Sequence, residues 1–110
     1  MSSTGEIQTA TDNGGDIYTS YDYGLNWNKV DQPVVTDKQW QAVAVTADGQ
    51  YQVVLDNGGT IYTSKDSGLT WSESTSTVLA NKKWQCVAIS ANAQYLSVAE
   101  YGGYIYTSQI

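Results

Sequence analysis

Two carboxylates stand in the same eight-residue setting, Asp22 in "SYDYGLNW" (Ser20 to Trp27) and Asp66 in "SKDSGLTW" (Ser64 to Trp71). A second recurring set, Asp12, Asp56 and Glu100, lies beside Gly-rich turns. Paired carboxylates can hydrolyse a glycoside, and an Asp among hydroxyls and amides can serve a calcium ion or a sugar. The rest of such machinery is missing. The 110-residue chain has no His and no Arg. It therefore lacks the commonest general base and metal ligand and the planar group that clamps a substrate carboxylate. The "DNGG" segments at Asp12–Gly15 and Asp56–Gly59 each offer one carboxylate and one amide, short of the roughly six to eight oxygens that calcium takes. Zinc would find a single Cys. The expectation is a non-enzymatic chain with no cofactor and no metal.

These residues recur because the whole chain does. Trp27 and Trp71 are 44 residues apart, as are Trp40 and Trp84, and Ile17, Ile61 and Ile105 keep the same step. "KQWQAVAVTADGQYQVVLDNGGTIYTS" (Lys38 to Ser64) lies over "KKWQCVAISANAQYLSVAEYGGYIYTS" (Lys82 to Ser108), and the segment from Gly5 to Ser20 lies over Gly49 to Ser64. Such a period marks an array of like units, each unable to bury its apolar faces alone.

Each period reads as four strands. "WQAVAV" (Trp40 to Val45), like "WQCVAI" (Trp84 to Ile89), is apolar on both faces and suits an inner strand covered on both sides. "YQVVL" (Tyr51 to Leu55) follows a turn at "ADGQ", and Gly58-Gly59 reads as a hairpin turn into "TIYTS", Thr60 to Ser64. There, Ile61 and Thr63 face one way and Tyr62 the other. The fourth strand begins at "LTW" and runs into the polar "SESTS", an exposed outer edge. No window holds a 3.6-residue apolar period, so almost no helix is expected. Four antiparallel strands per period, polarity rising outward, describe an all-β β-propeller blade. The divisions are a partial blade over 1–37, a full blade over 38–81 and a partial blade over 82–110, ten strands in all.

The two "SxDxGx(N/T)W" segments resemble the Asp-box of bacterial neuraminidase repeats, with Asn26 in place of the threonine in the first copy. The resemblance implies a β-propeller with the box on the turn between third and fourth strands, as a structural marker remote from any active site. Ser20, Asp22, Gly24, Trp27, Ser64, Asp66, Gly68 and Trp71 are its residues here. The Asp residues are expected to accept hydrogen bonds from turn N–H groups, the Gly residues to take a positive φ, and the Trp residues to pack between blades. Sialidases of this resemblance bind substrate through an arginine triad, which this chain cannot supply.

Charge narrows the partners. The net charge is −6, and the five lysines are scattered, so nucleic acid is not an expected partner. No apolar run approaches a membrane span of about 20 residues, and no charged-then-apolar leader opens the sequence. The compartment is left undetermined. Cys86, alone and in register with Ala42, reads as a small buried hydrophobe.

Two binding readings stand. In one, glycans occupy pockets between blades, with Trp40, Trp84, Asp12, Asn13, Asp56, Asn57, Tyr101 and Tyr104 as contacts, against the plainer reading that both Trp anchor blade packing and the Asp and Asn residues make turns; the third copy departs, with Glu100-Tyr101 replacing Asp-Asn. In the other, two to three blades per chain leave uncovered faces, and copies of the chain close a ring around them as a homo-oligomer. The near-perfect repeat also reads as a fragment of a longer propeller or an engineered protein, with Met1-Ser2-Ser3 as an added start.

Overall fold

The computed structural model of the chain describes residues 1–30, 38–56, 60–73, 84–100 and 105–109. Eleven strands are present among them and no helix. They form three antiparallel sheets. The first is β1 (Gln8–Thr11), β3 (Ile17–Ser20) and β4 (Asn28–Lys29), in spatial order β1-β3-β4. The second is β5 (Lys38–Val45), β6 (Gln52–Asp56), β7 (Ile61–Ser64) and β8 (Ser72–Glu73), in chain order. The third is β9 (Trp84–Ile89), β10 (Tyr95–Glu100) and β11 (Ile105–Gln109), again in chain order.

One strand, β2 (Asn13–Gly15), lies where the sequence predicts only a turn. It sits at the tip of the β1–β3 hairpin and pairs with β5 of the second sheet, Asn13 opposite Gln39 and Gly15 opposite Lys38. The turn is there too, since the Gly15 N–H donates to the Asp12 carbonyl at 2.9 Å. A Cβ on Gly15 would lie 2.5 Å from Asp12 Oδ2, so a larger residue there would require the exposed Asp12 side chain to move. The corresponding Gly58-Gly59 segment lies outside the described residues.

The sheets stack face to face, and alternation along the strands assigns each side chain to an interface. Between the first and second sheets lie Ile17, Val30, Trp40, Val54, Tyr62 and Trp71. Between the second and third lie Val53, Leu55, Ile61, Leu96 and Val98, with Ala42, Val87, Ile89 and Tyr106 packed against them. Ile61 and Tyr62 thus serve opposite interfaces, as alternation requires. Burial of such side chains contributes roughly 1.5–3 kcal/mol each. The outer strands β4 and β8 are short, polar and exposed.

A bulge breaks this alternation at one place in each full-length inner strand. In β5 the register shifts between Trp40 and Ala42, and in β9 and β10 at the matching place between Ala99 and Glu100. The extra residue turns Trp40 onto the first interface, with Val43, while Ala42 faces the second. Trp40 meets Tyr62 edge to face, ring centroids 5.5 Å apart, a favoured aromatic arrangement.

The stacking also carries polar contacts at the repeat step. The Ser3 N–H donates to the Ala47 carbonyl at 2.7 Å and the Ala47 N–H to the Ala91 carbonyl at 3.2 Å, a ladder running across all three sheets. The Thr9 hydroxyl on the first sheet donates to Oε1 of the fully buried Gln52 on the second. Ser2 belongs to this pattern. It is 5% exposed, and its Oγ accepts from the Ile7 N–H as Thr46 Oγ1 accepts from Tyr51 and Ser90 Oγ from Tyr95.

Candidate functional site

The turns at Ser20–Trp27 and Ser64–Trp71 share their hydrogen bonds, with one donor exchanged. Ser20 Oγ donates to Asp22 Oδ1 at 2.9 Å and accepts from the Gly24 N–H at 2.9 Å. Asp22 accepts from the Asn26 N–H at 2.8 Å and from Asn26 Nδ2 at 2.7 Å. In the second copy Ser64, Asp66, Gly68 and Thr70 repeat this set, the Thr70 hydroxyl replacing the Asn26 amide. The chain turns through two successive left-handed residues, Tyr23 and Gly24 at φ 63° and 87°, then Ser67 and Gly68 at 64° and 87°. Each turn closes when the indole N–H, of Trp27 or Trp71, donates to the carbonyl of Gly24 or Gly68 at 3.1 Å.

These bonds decide what the carboxylates can do. The bonds from Asn26 and Ser20 hold the Asp22 carboxyl below the usual carboxylate value. For Asp66 burial pushes upward, but the bonds from Thr70 and Ser64 outweigh it and the net direction is downward. Both are ionised acceptors committed to their own turns, ill-suited to take a proton from a substrate. An open recess of about 340 Å³ beside the second box is lined by Thr63, Lys65, Asp66, Thr70 and Ser72. Its one carboxylate is already engaged by Thr70 and Ser64. Among the described residues no three His, Cys, Asp or Glu side chains gather to hold a metal.

Of the glycan candidates, Trp40, Asp56 and Asp12 are described with their side chains. Trp40 is 4% exposed inside the first interface, so its ring cannot stack on a sugar there. Its indole N–H is buried without a partner. Asp56 is buried and paired across the sheet with Trp40. Asp12 is exposed, with its N–H bonded to the Asp16 carbonyl. Asn13 and Trp84 are placed by their backbones, opposite Gln39 and Glu100. Asn57, Tyr101 and Tyr104 lie outside the described residues.

The uncovered faces expected from the sequence lie at the two ends of the stack, and what sequence reasoning missed is their consequence for Cys86. The same repeat position is 0% exposed at Ile17 and 2% at Ile61, where a following sheet covers it, and 76% at Ile105. Around Ile105 an apolar groove of about 220 Å³ runs past Cys86, Ala88, Ser97 and Ala99. Cys86 is consequently exposed rather than buried. It shares its position with Ala42, but the face that covers Ala42 has no counterpart over the third sheet. At the other end, Trp27 is 43% exposed whereas Trp71, its repeat partner, is 2% exposed against the first sheet. The signal was in the sequence: equal residues at equal steps must differ in burial wherever a neighbouring sheet is lacking.

Among the described residues no helix is long and apolar enough to cross a membrane. No protein-family profile matches the chain, and no curated protein does. Solved structures do. One is YCF48 bound to a D1 peptide, 11% identical, with a TM-score of 0.79 over 94% of this chain and 33% of that one. Another is the β-propeller domain of Myceliophteria thermophila Cps50 (Swd1), 10% identical, with a TM-score of 0.75 over all of this chain and 34% of that one. The chain thus spans about a third of the propellers it resembles, and its stacked antiparallel sheets have the β-propeller fold.

Proposed function

We propose that the chain is a non-catalytic β-propeller segment of the Asp-box type that acts as a binding scaffold, and that its open faces are filled by copies of itself. The observation that carries this reading is the graded burial of one repeat position, Ile17 and Ile61 enclosed and Ile105 open. An exposed apolar sheet face of this kind is an interaction surface or an aggregation hazard. Copies stacked in one sense make a head-to-tail contact, which closes only as a ring. Propellers typically have about four to eight blades. One chain brings three sheets, so two copies supply six and three copies overshoot.

The test is the mass in solution, by light scattering across a concentration series. Twice the chain mass is the expected result. A strictly monomeric mass at micromolar concentration and above overturns self-assembly. Peptide binding, as in the peptide-bound YCF48 structure, is the function a finished ring of this fold could add. Trp40, one of the glycan candidates, is buried in the core, and a fluorescence titration of the ring against glycans is expected to show no saturable binding.

A further inference from the structure

If copies do associate, a seam must form between the third sheet of one and the first sheet of the next. The two interfaces inside the chain show which residues meet at such a seam. Repeat positions 9, 53 and 97 lie on the face turned toward the following sheet, and positions 8, 52 and 96 on the face turned toward the preceding one. At the first interface the pair is Thr9 and Gln52, joined hydroxyl to amide oxygen. At the second it is Val53 and Leu96, both within one apolar cluster. Polar therefore meets polar and apolar meets apolar, although each of these repeat positions changes character along the chain.

Two members of this series have no mate within the chain, Ser97 and Gln8. Ser97 lines the open groove of the third sheet. Gln8 lies on the open face of the first, and its side chain is already in the posture of Gln52. Its Nε2 donates to the Gly5 carbonyl at 2.9 Å, as Gln52 Nε2 donates to Gly49 at 3.0 Å. Gly24 sits beside its Oε1 as Gly68 sits beside that of Gln52. The unmatched hydroxyl and the unmatched, pre-set amide are the same kind of pair as Thr9 and Gln52.

The geometry points to a second copy of this chain as the occupant of the third-sheet groove, seated by its first sheet, with the Ser97 hydroxyl donating to Gln8 Oε1 across the seam. This rests on the self-assembly reading and specifies its contact. The rest of the seam follows the same step. Trp27 covers Ile105 as Trp71 shares a cluster with Ile17. The Ala91 N–H continues the rim ladder to the Ser3 carbonyl of the next copy, as Ala47 reaches Ala91. A seam built on Ser and Gln also discriminates. An apolar residue opposite either one would leave a buried polar atom without a partner, so polar end faces select each other over the Val53–Leu96 type.

The test uses the whole chain and the protein's own two solutions to the pairing problem. Ser97→Val and Gln8→Leu each convert one side of the seam to the apolar kind. Both sites tolerate the change, since Val53 and Leu96 occupy the same positions in this fold. Sedimentation velocity is run with thermal unfolding as a check on folding. Each single variant is expected to weaken association about tenfold or more, the effect of one stranded buried acceptor or mismatched group. The double variant restores it. An equimolar mixture of the two single variants restores it as well, because in a ring of two one seam becomes Val–Leu and the other stays Ser–Gln. An oligomer indifferent to Ser97→Val, or a double variant no tighter than the singles, overturns this seam while leaving self-assembly standing. A wild-type chain that stays monomeric overturns both.

Discussion

Thr9 and Gln52, 43 residues apart on facing sheets, share a side-chain hydrogen bond in which the hydroxyl donates to the amide oxygen. Gln52 has no exposed surface, and its amide nitrogen is held by the Gly49 carbonyl. The pair thus satisfies a polar group that the stacking of two sheets would otherwise strand. Thr9→Val should destabilise the fold by about 1–3 kcal/mol, the cost of an unpaired buried acceptor. Adding Gln52→Leu should recover most of that loss, since Val and Leu already meet at this place between the second and third sheets. Urea unfolding of the two singles and the double checks both. Additive losses would show that the two residues act independently.

The turn position 5, 49 and 93 is left-handed in all three copies, with φ 80° at Gly5, 77° at Gly49 and 63° at Ala93. Glycine takes this conformation freely and alanine at a cost of about 1–2 kcal/mol. Gly49 is also pressed against the preceding sheet, where an added Cβ would stand 2.8 Å from Ile7 Cδ1. Gly49→Ala should therefore destabilise by about 2 kcal/mol or more. Ala93→Gly should act the other way, stabilising by up to about 1 kcal/mol once the added freedom of the unfolded chain is subtracted. Denaturation midpoints of the pair give the signs directly.

Strand existence and sidedness were legible in the sequence, because alternation along "TIYTS" has one reading, and Ile61 and Tyr62 do serve opposite interfaces. The box turn was legible too, since Asp, Gly and Trp at fixed offsets have a local reason to be there. Two things were not. The bulge that swings Trp40 into the core depends on an extra residue in the inner strand, and no pattern of residue types announces it. The exposure of Cys86 depends on which sheet lies beside it, so it follows from the place of its copy in the stack and not from its match to Ala42. By residue type Trp40 suits a sugar platform or a packing anchor, and only the packing, which places it between the first two sheets, decides its use.

The two box carboxylates give the fold an acid limb. For Asp66, burial pushes the carboxyl upward while the bonds from Thr70 and Ser64 pull it further down, leaving it below the usual value of 3.8. A group depressed in the folded state stabilises above its unfolded value, and that contribution is lost as pH falls through the folded value. Wild-type stability should fall as the pH drops below about 4. Asp66→Asn should be the less stable protein at pH 7 and converge on wild type in acid, because it has no proton to take up there. A constant difference between the two across pH 2–7, estimated by chemical unfolding at about one-unit steps, would refute the assignment to Asp66.

Cys86 reports on the open face without altering the core. Its repeat partner Ala42 is packed against the second interface, whereas the thiol of Cys86 lies exposed on the groove beside Ile105. In dilute protein the thiol should react readily with a soluble disulfide reagent. As concentration rises and the first sheet of a second copy settles on the groove, the rate should drop in step with the fraction associated. Once derivatised with a bulky maleimide, the chain should stay monomeric at concentrations where the untreated protein does not. Cys86→Ala, which installs the residue found at position 42, should associate as wild type does and so separates the bulk of the adduct from loss of the thiol. A labelling rate independent of concentration would mean that the groove stays open, and that the surface left by the stacking of three sheets meets no fourth.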